Sequence, residues 1–126
     1  MTKPYTVSFE KQKQIVMVRM VGSVTHEEHC AAREEAVRLC KSNECSKLLV
    51  DLRELCTDRS STLSCFLFGE SLAKEPQYLC IAHVLPKDPT SAKDIKFTST
   101  VEANRGKSTR EFESIAEAER WLLEQR

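Results

Sequence analysis

No stretch of this 126-residue chain approaches the roughly 20 consecutive apolar residues that span a bilayer. The opening Met1-Thr2-Lys3-Pro4-Tyr5 lacks the apolar core of a secretory signal. Net charge is missing too. Nineteen basic residues balance 19 acidic ones, so no global field draws the chain to nucleic acid or to an anionic membrane. The six cysteines, Cys30, Cys40, Cys45, Cys56, Cys65 and Cys80, form no CxxC pair and have no histidine at metal-finger spacing. Most fall inside apolar patterns, as Cys80 does in Leu79-Cys80-Ile81-Ala82, and they read as reduced, buried thiols of a cytoplasmic protein. A phosphate-binding Gly-rich loop, HExxH, GxSxG and a basic-aromatic nucleic-acid pattern are all lacking. So are internal repeats, low-complexity tracts and linkers. The length fits one domain over 1–126, able to bury a single core without disulfides or metal, and no cofactor is called for.

What is present alternates between two periods. Tyr5, Val7 and Phe9 alternate with polar residues, as in a half-buried strand, and the β-branched run Ile15 to Val21 is its hairpin partner, ended by Gly22. Thr25 and Glu28 form a capping box that starts a helix. Ala32, Ala36, Leu39 and Cys40 make its apolar stripe, with Arg33, Glu34, Glu35, Arg38 and Lys41 expected toward solvent and an end near Ser42-Asn43. Lys47 to Leu52 reads as a central parallel strand, because Leu48-Leu49-Val50 is continuously apolar. A second helix is expected over Ser61 to Leu72. It has two apolar stripes, Cys65, Phe68 and Leu72 on one side and Leu63, Phe66 and Leu67 largely on the other. A small domain needs only one such face, so the second is expected to be covered by another element or by a second copy of the chain, a homodimer. Glu75-Pro76 stops that helix, Leu79 to Leu85 is a further buried strand, and a third helix is expected from about Ser91 to Asn104 with Phe97 and Val101 inward. Gly106 suits the left-handed position past its end, and Ser108 to Phe112 is a polar edge strand. Ser114 and Glu117 then open a last helix with Ile115, Ala118 and Leu122 inward and Trp121 flanking them. The fold class is α/β, in the order β-β-α-β-α-β-α-β-α: a mostly parallel five-stranded sheet with an N-terminal hairpin and about four helices.

That succession resembles the STAS/SpoIIAA-like fold of bacterial anti-sigma-factor antagonists, and is most similar to the little-characterised bacterial SpoIIAA-like proteins. The resemblance rests on Gly22-Ser23-Val24-Thr25, Leu49-Val50-Asp51-Leu52-Arg53, Ile81-Ala82-His83-Val84 with Pro86-Lys87-Asp88, Asn104-Arg105-Gly106, and Phe112 with Glu117-Ala118-Glu119-Arg120-Trp121-Leu122. It implies a non-enzymatic regulatory module that binds a protein partner. In anti-sigma antagonists the loop after the central strand resembles Asp-Ser-Ser-Gly, and its second serine is phosphorylated by the partner kinase. The match places Ser61 at that position with Ser60 beside it; here Arg59 stands where the motif has Asp, Asp58 lies one place back, and Thr62 replaces the glycine. A helix N-terminus there would favour an added phosphate.

Asp51, Arg53, Asp58, Ser60 and Ser61 are expected to converge beyond the carboxyl end of the central strand, the usual ligand edge of an open α/β sheet. Asp51 equally suits an anchor for loop backbone donors, and Asp58 or Ser60 a helix cap. Arg105 is a candidate anion contact near the same edge, while Asn104 and Gly106 read as helix termination. His26 and His29 are a poor metal pair, and His83 lacks a placed nucleophile, with Cys56 and Cys65 the thiols considered. The alternative to a regulatory module is a carrier of a small apolar or anionic ligand, since a related fold group includes lipid-transfer proteins. A Cys-dependent redox enzyme is the third class.

Overall fold

Side chains on β2 (Ile15–Gly22) alternate between two covered faces: Val16, Val18 and Met20 are buried on one and Ile15 on the other. A strand apolar on both sides belongs in the middle of a sheet. The computed structural model describes residues 4–56, 75–76 and 78–125. It places β2 between β1 (Tyr5–Glu10), antiparallel to it, and β3 (Lys47–Leu55), parallel. β4 (Cys80–Val84) and β5 (Ser108–Phe112) follow, both parallel, giving the order β1-β2-β3-β4-β5. The expected hairpin, the mostly parallel five-stranded sheet and the polar edge strand are all present; β3 runs three residues further than its apolar run suggests.

α1 (His26–Ser42) begins where the capping box requires: Glu28 N–H donates to Thr25 Oγ1 at 3.1 Å, and Thr25 N–H donates to Glu28 Oε1 at 2.9 Å. Ala32, Ala36 and Cys40 are buried against Val18, Leu48 and Val50, their small size letting helix and sheet approach closely. α2 (Pro89–Asn104) is capped by Asp88, which accepts from Ser91 N–H at 2.9 Å, and has Pro89 in its first turn. It ends before Gly106, whose φ of 89° is the left-handed value that glycine adopts freely. α3 (Ile115–Glu124) starts with Ser114 accepting from Glu117 N–H at 3.2 Å.

Each parallel crossover advances the same way along the sheet, so right-handed connections place α1 and α2 on one face. The core there unites α1 with Val18, Val50, Leu52 and Ile81, and Ile95 of α2 packs against it. On the opposite face Ala118 and Leu122 of α3 meet Ile15, Leu49, Ala82 and Val84, with Trp121 stacked obliquely on Phe112 at 5.7 Å. Three helices lie within the described residues. The helix expected over 61–72, with Leu63, Phe66 and Leu67, lies outside them, as do Asp58, Ser60 and Ser61.

Two side chains depart from expectation. Arg33 is 3% exposed rather than solvent-facing. Positions 29, 33, 36 and 40 share a helical face, so the apolar stripe carries Arg33 inward. Phe97 is 38% exposed, while Ser91, Thr98, Ser99, Val101 and Glu102 are buried. Positions 91, 95, 98 and 102 follow the 3.6-residue period, which turns Phe97 outward, and the inner face of α2 is largely polar.

Replacing the buried Ile81 with Ala should remove about 2–5 kcal/mol of stability through transfer and cavity terms. Thr25→Ala should remove about 1 kcal/mol. Urea unfolding of both variants checks the ranking, and a larger loss at Thr25 than at Ile81 would contradict this packing.

Candidate functional site: a buried polar cluster

Midway along β3, paired with Val84 at the carboxyl end of β4, Asp51 is held from within the chain. Arg53 donates from Nε to Oδ1 and from Nη2 to Oδ2, both at 3.0 Å, and its backbone N–H reaches Oδ1 at 3.2 Å. Burial works against the carboxylate charge, yet these side-chain and backbone bonds outweigh it and hold the acid below its ordinary range. These bonds come from Arg53, which itself lies within β3, and not from the backbone of the following loop as expected, while the Arg53 side chain remains 43% exposed. Lys87 N–H donates to Arg53 O at 3.2 Å, tying the loop after β4 to the same edge. Arg105 does not join them. It caps the C-terminus of α2, its N–H on Glu102 O at 3.0 Å, three residues before β5 pairs Ser108 with Cys80. That is the amino end of the parallel strands, opposite Asp51.

The most unusual electrostatics lie elsewhere, between α1, α2 and β4. Arg33 Nη2 donates to Glu75 Oε1 at 2.7 Å and stands 3.7 Å from Glu102 Oε2. Glu102 is 0% exposed, and neither carboxyl oxygen has a hydrogen-bond partner; Arg33 Nε also has none. Lys107, buried as well, donates from Nζ to the carbonyls of Glu75 and of Pro76, the latter at 2.8 Å. His83 shares a hydrogen bond between Nδ1 and Thr109 Oγ1 at 3.2 Å, and its Nε2 lies 3.7 Å from Glu102 Oε1. Strand alternation explains the convergence: His83 shares the α1 face of β4 with Leu79 and Ile81.

Burial sets the protonation states. It lowers His83 to about 3, helped by Arg33, so the imidazole is neutral and its contact with Glu102 is no ion pair. Burial raises Glu102 to about 7, and Glu75 and Glu111 add to this against the pull of Arg33 and Lys107. Lys107 is lowered, again chiefly by burial. His29, the next inward position on α1, falls to about 4 through burial and the charges of His26 and Arg33. A cleft opens beside these groups, lined by Met20, His29, Arg33, Val50, Leu52, His83, Ile95 and Thr98.

Among the described residues, no group of three or more His, Cys, Asp or Glu is placed to hold a metal ion. Cys30, Cys40, Cys45, Cys56 and Cys80 are free thiols, and burial raises Cys40 to about 12, far from a reactive thiolate. His83 bonds to a threonine hydroxyl instead of a thiol. Cys65 lies outside the described residues. Sequence reasoning missed Arg33, Glu102 and Lys107. The available signal was a charged residue at an inward helical position, namely 33 with 36 and 40, and 102 with 95 and 98.

These shifts give stability a pH dependence. Glu102 holds its proton to a higher pH folded than at its ordinary 4.5, so its contribution is complete below 4.5 and is lost as pH rises through about 7. His83 and His29 act oppositely: their contribution is complete above 6.5 and is lost as pH falls toward about 3 and 4. Stability should therefore peak at mildly acidic pH. Glu102→Gln should remove the decline on the alkaline side alone. Urea midpoints across the range check this, and a parallel alkaline decline in both proteins would refute the assignment.

No family model matches the sequence, and no curated protein does. Solved structures do match. An anti-sigma factor antagonist from Mycobacterium paratuberculosis superposes with a TM-score of 0.62 at 12% identity, over 97% of each chain. An uncharacterized protein of the DUF3478 family from Shewanella loihica, described as having a SpoIIAA-like fold, gives a TM-score of 0.56 at 17% identity, over 97% of this chain and 96% of that one. At such identities the likeness is one of fold, and with the sheet order and crossovers above it establishes that this chain has the STAS/SpoIIAA-like fold.

Proposed function

We infer that the chain is a non-enzymatic, regulatory protein-interaction module that engages its partner at the sheet edge carrying Asp51 and Arg53. The observation that supports this most is the end-to-end match in fold with an anti-sigma factor antagonist, over 97% of both chains. The edge has suitable chemistry. Asp51 and Arg53 pair within β3, and Arg53 still presents a half-exposed guanidinium. Ser61, or its neighbour Ser60, is the residue through which phosphorylation would regulate that contact. A phosphate there would add charge and strong acceptors within a few residues of Arg53. The apolar stripe of Leu63, Phe66 and Leu67 is the proposed surface for self-association.

The carrier reading keeps one specific support, the cleft lined by Met20, Val50, Leu52 and Ile95 with Arg33 in its wall. It is compatible with a regulatory module, since a bound small molecule can bias partner binding.

Incubation with anti-sigma-factor kinases and ATP should label Ser60 or Ser61, and the double Ala variant should abolish the label. A clean negative beside a phosphorylated control antagonist would reject the switch. Sedimentation should show a dimer that Leu67→Glu converts to monomer. A wild-type monomer at high concentration would remove the self-association surface.

A further inference from the structure

The end of α1 brings two cysteines together in a way that partner binding at the sheet edge does not use. Cys45 N–H donates to Cys40 O at 2.8 Å, and Glu44 N–H donates to Lys41 O at 3.4 Å. With Asn43 as the cap and Glu44 at a φ of 51°, these are the two bonds and the left-handed residue of a Schellman motif. That motif folds the second residue past the cap back onto the last turn of the helix, where two apolar side chains ordinarily meet. In this chain the two side chains are the thiols of Cys40 and Cys45.

Both are buried, at 0% and 4% exposure, in the core beneath α1, and both are free. The Cys40 thiol has the Cys45 thiol as a hydrogen-bond partner. Cys45 Sγ also donates to Gln14 O at 3.0 Å and accepts from Lys47 N–H at 3.4 Å. Residues whose backbones share a hydrogen bond stand at a separation that a disulfide can span. The turn therefore holds this pair where a disulfide needs it.

We propose that Cys40 and Cys45 form a redox-sensitive pair, which hydrogen peroxide converts into an intramolecular disulfide that ties the end of α1 to the entry of β3. Helix ends fray at little cost, and this gives the oxidant access. Cys45, the less buried of the two, reacts first. Its sulfur attacks the peroxide, the O–O bond breaks, and a sulfenic acid and one water result. Cys40 then attacks that sulfur. The S–S bond forms, and the hydroxyl leaves with the Cys40 proton as a second water. Two thiols are oxidised and one peroxide is reduced. Burial, with Cys45 beside it, pushes the Cys40 thiol up to about 12, which suits a group that keeps its proton until the second step. Oxidation also removes the S–H that Gln14 O accepts from, so the change reaches the start of β2 at Ile15. The pair precedes β3, whereas Asp51 and Arg53 lie further along that strand, so it stands or falls independently of phosphorylation at Ser60 or Ser61.

The full chain, reduced and freed of reductant, is treated with hydrogen peroxide in the absence of denaturant. Catalase stops the reaction, and the chain is then unfolded, alkylated and digested with trypsin. Mass spectrometry should find peptides 39–41 and 42–47 linked, lighter by two hydrogens than their sum and separated by reduction. Alkylation at Cys40 and Cys45 should be lost together. In the nitrogen-15 spectrum the Ile15 amide should shift on oxidation and return on reduction. Cys45→Ser should leave Cys40 unoxidised, and Cys40→Ser should leave a sulfenic acid on Cys45 that dimedone captures. The wild-type digest decides the proposal even where a variant fails to fold. The proposal is overturned if both thiols stay alkylatable while the more open Cys30 and Cys56 are consumed, if either bridges to another cysteine, or if the link forms only in urea. Dimedone capture at Cys40 in Cys45→Ser overturns the order of the two steps.

Discussion

A guanidinium buried between two helices and a sheet must be neutralised where it stands, because removing a charge from water without a partner costs several kcal/mol, a large share of a small domain's margin of stability. Arg33 is that group, and the polar interior is arranged around it. Glu75 supplies the close ion pair at 2.7 Å. Lys107 gathers the carbonyls of Glu75 and Pro76 and so fixes the chain that carries this carboxylate. Glu102 lies near enough to feel the charge and too far to share a hydrogen bond. His83 completes the wall in its neutral form, held by Thr109. α1, α2, β4 and the start of β5 thus meet through one charge as well as through packing.

The usual ligand edge of an open α/β sheet is the crevice at the carboxyl ends of its strands. In this chain the described part of that edge is internally satisfied: Asp51 takes three bonds from Arg53, and the loop after β4 is pinned to Arg53 O. Unsatisfied polar atoms lie instead beneath α1 and α2.

How much was legible in the sequence followed from which residues obey a period. The strands were readable because alternation or continuous apolarity is forced by sheet geometry, as in Leu48-Leu49-Val50 for β3 and Tyr5, Val7 and Phe9 for β1. α1 and α3 were readable from Thr25 and Ser114, whose side chains do local work that needs no tertiary context. The Asp51–Arg53 pair is local, two residues apart, but β3 runs on to Leu55 and so holds the pair within the strand, where the sequence pattern puts the start of a loop. Arg33 and Glu102 were not readable, since their burial depends on residues 42 and 69 positions distant in sequence, and a charged residue on a helix is by default assigned to water. Phe97 failed for the complementary reason. Hydrophobicity alone pointed it inward, while the stripe of Ser91, Ile95, Thr98 and Glu102 sets the helix rotation and leaves it 38% exposed. Arg105 was placed near Asp51 by its chemistry, but the direction of α2 puts it at the other end of the strands.

The buried cluster also sets how this fold responds to its surroundings. A buried ion pair is weak grounds for stability, since apolar residues of similar volume often do as well or better. What a titratable cluster adds is sensitivity, because a change of one proton or one bound anion alters the field felt by every group in it. Glu102 sits on α2, Arg33 on α1 and Glu75 ahead of β4, so the packing of the two helices depends on one shared charge balance. A change of protonation at Glu102 therefore acts on α1 and α2 together, through the same charge that joins them.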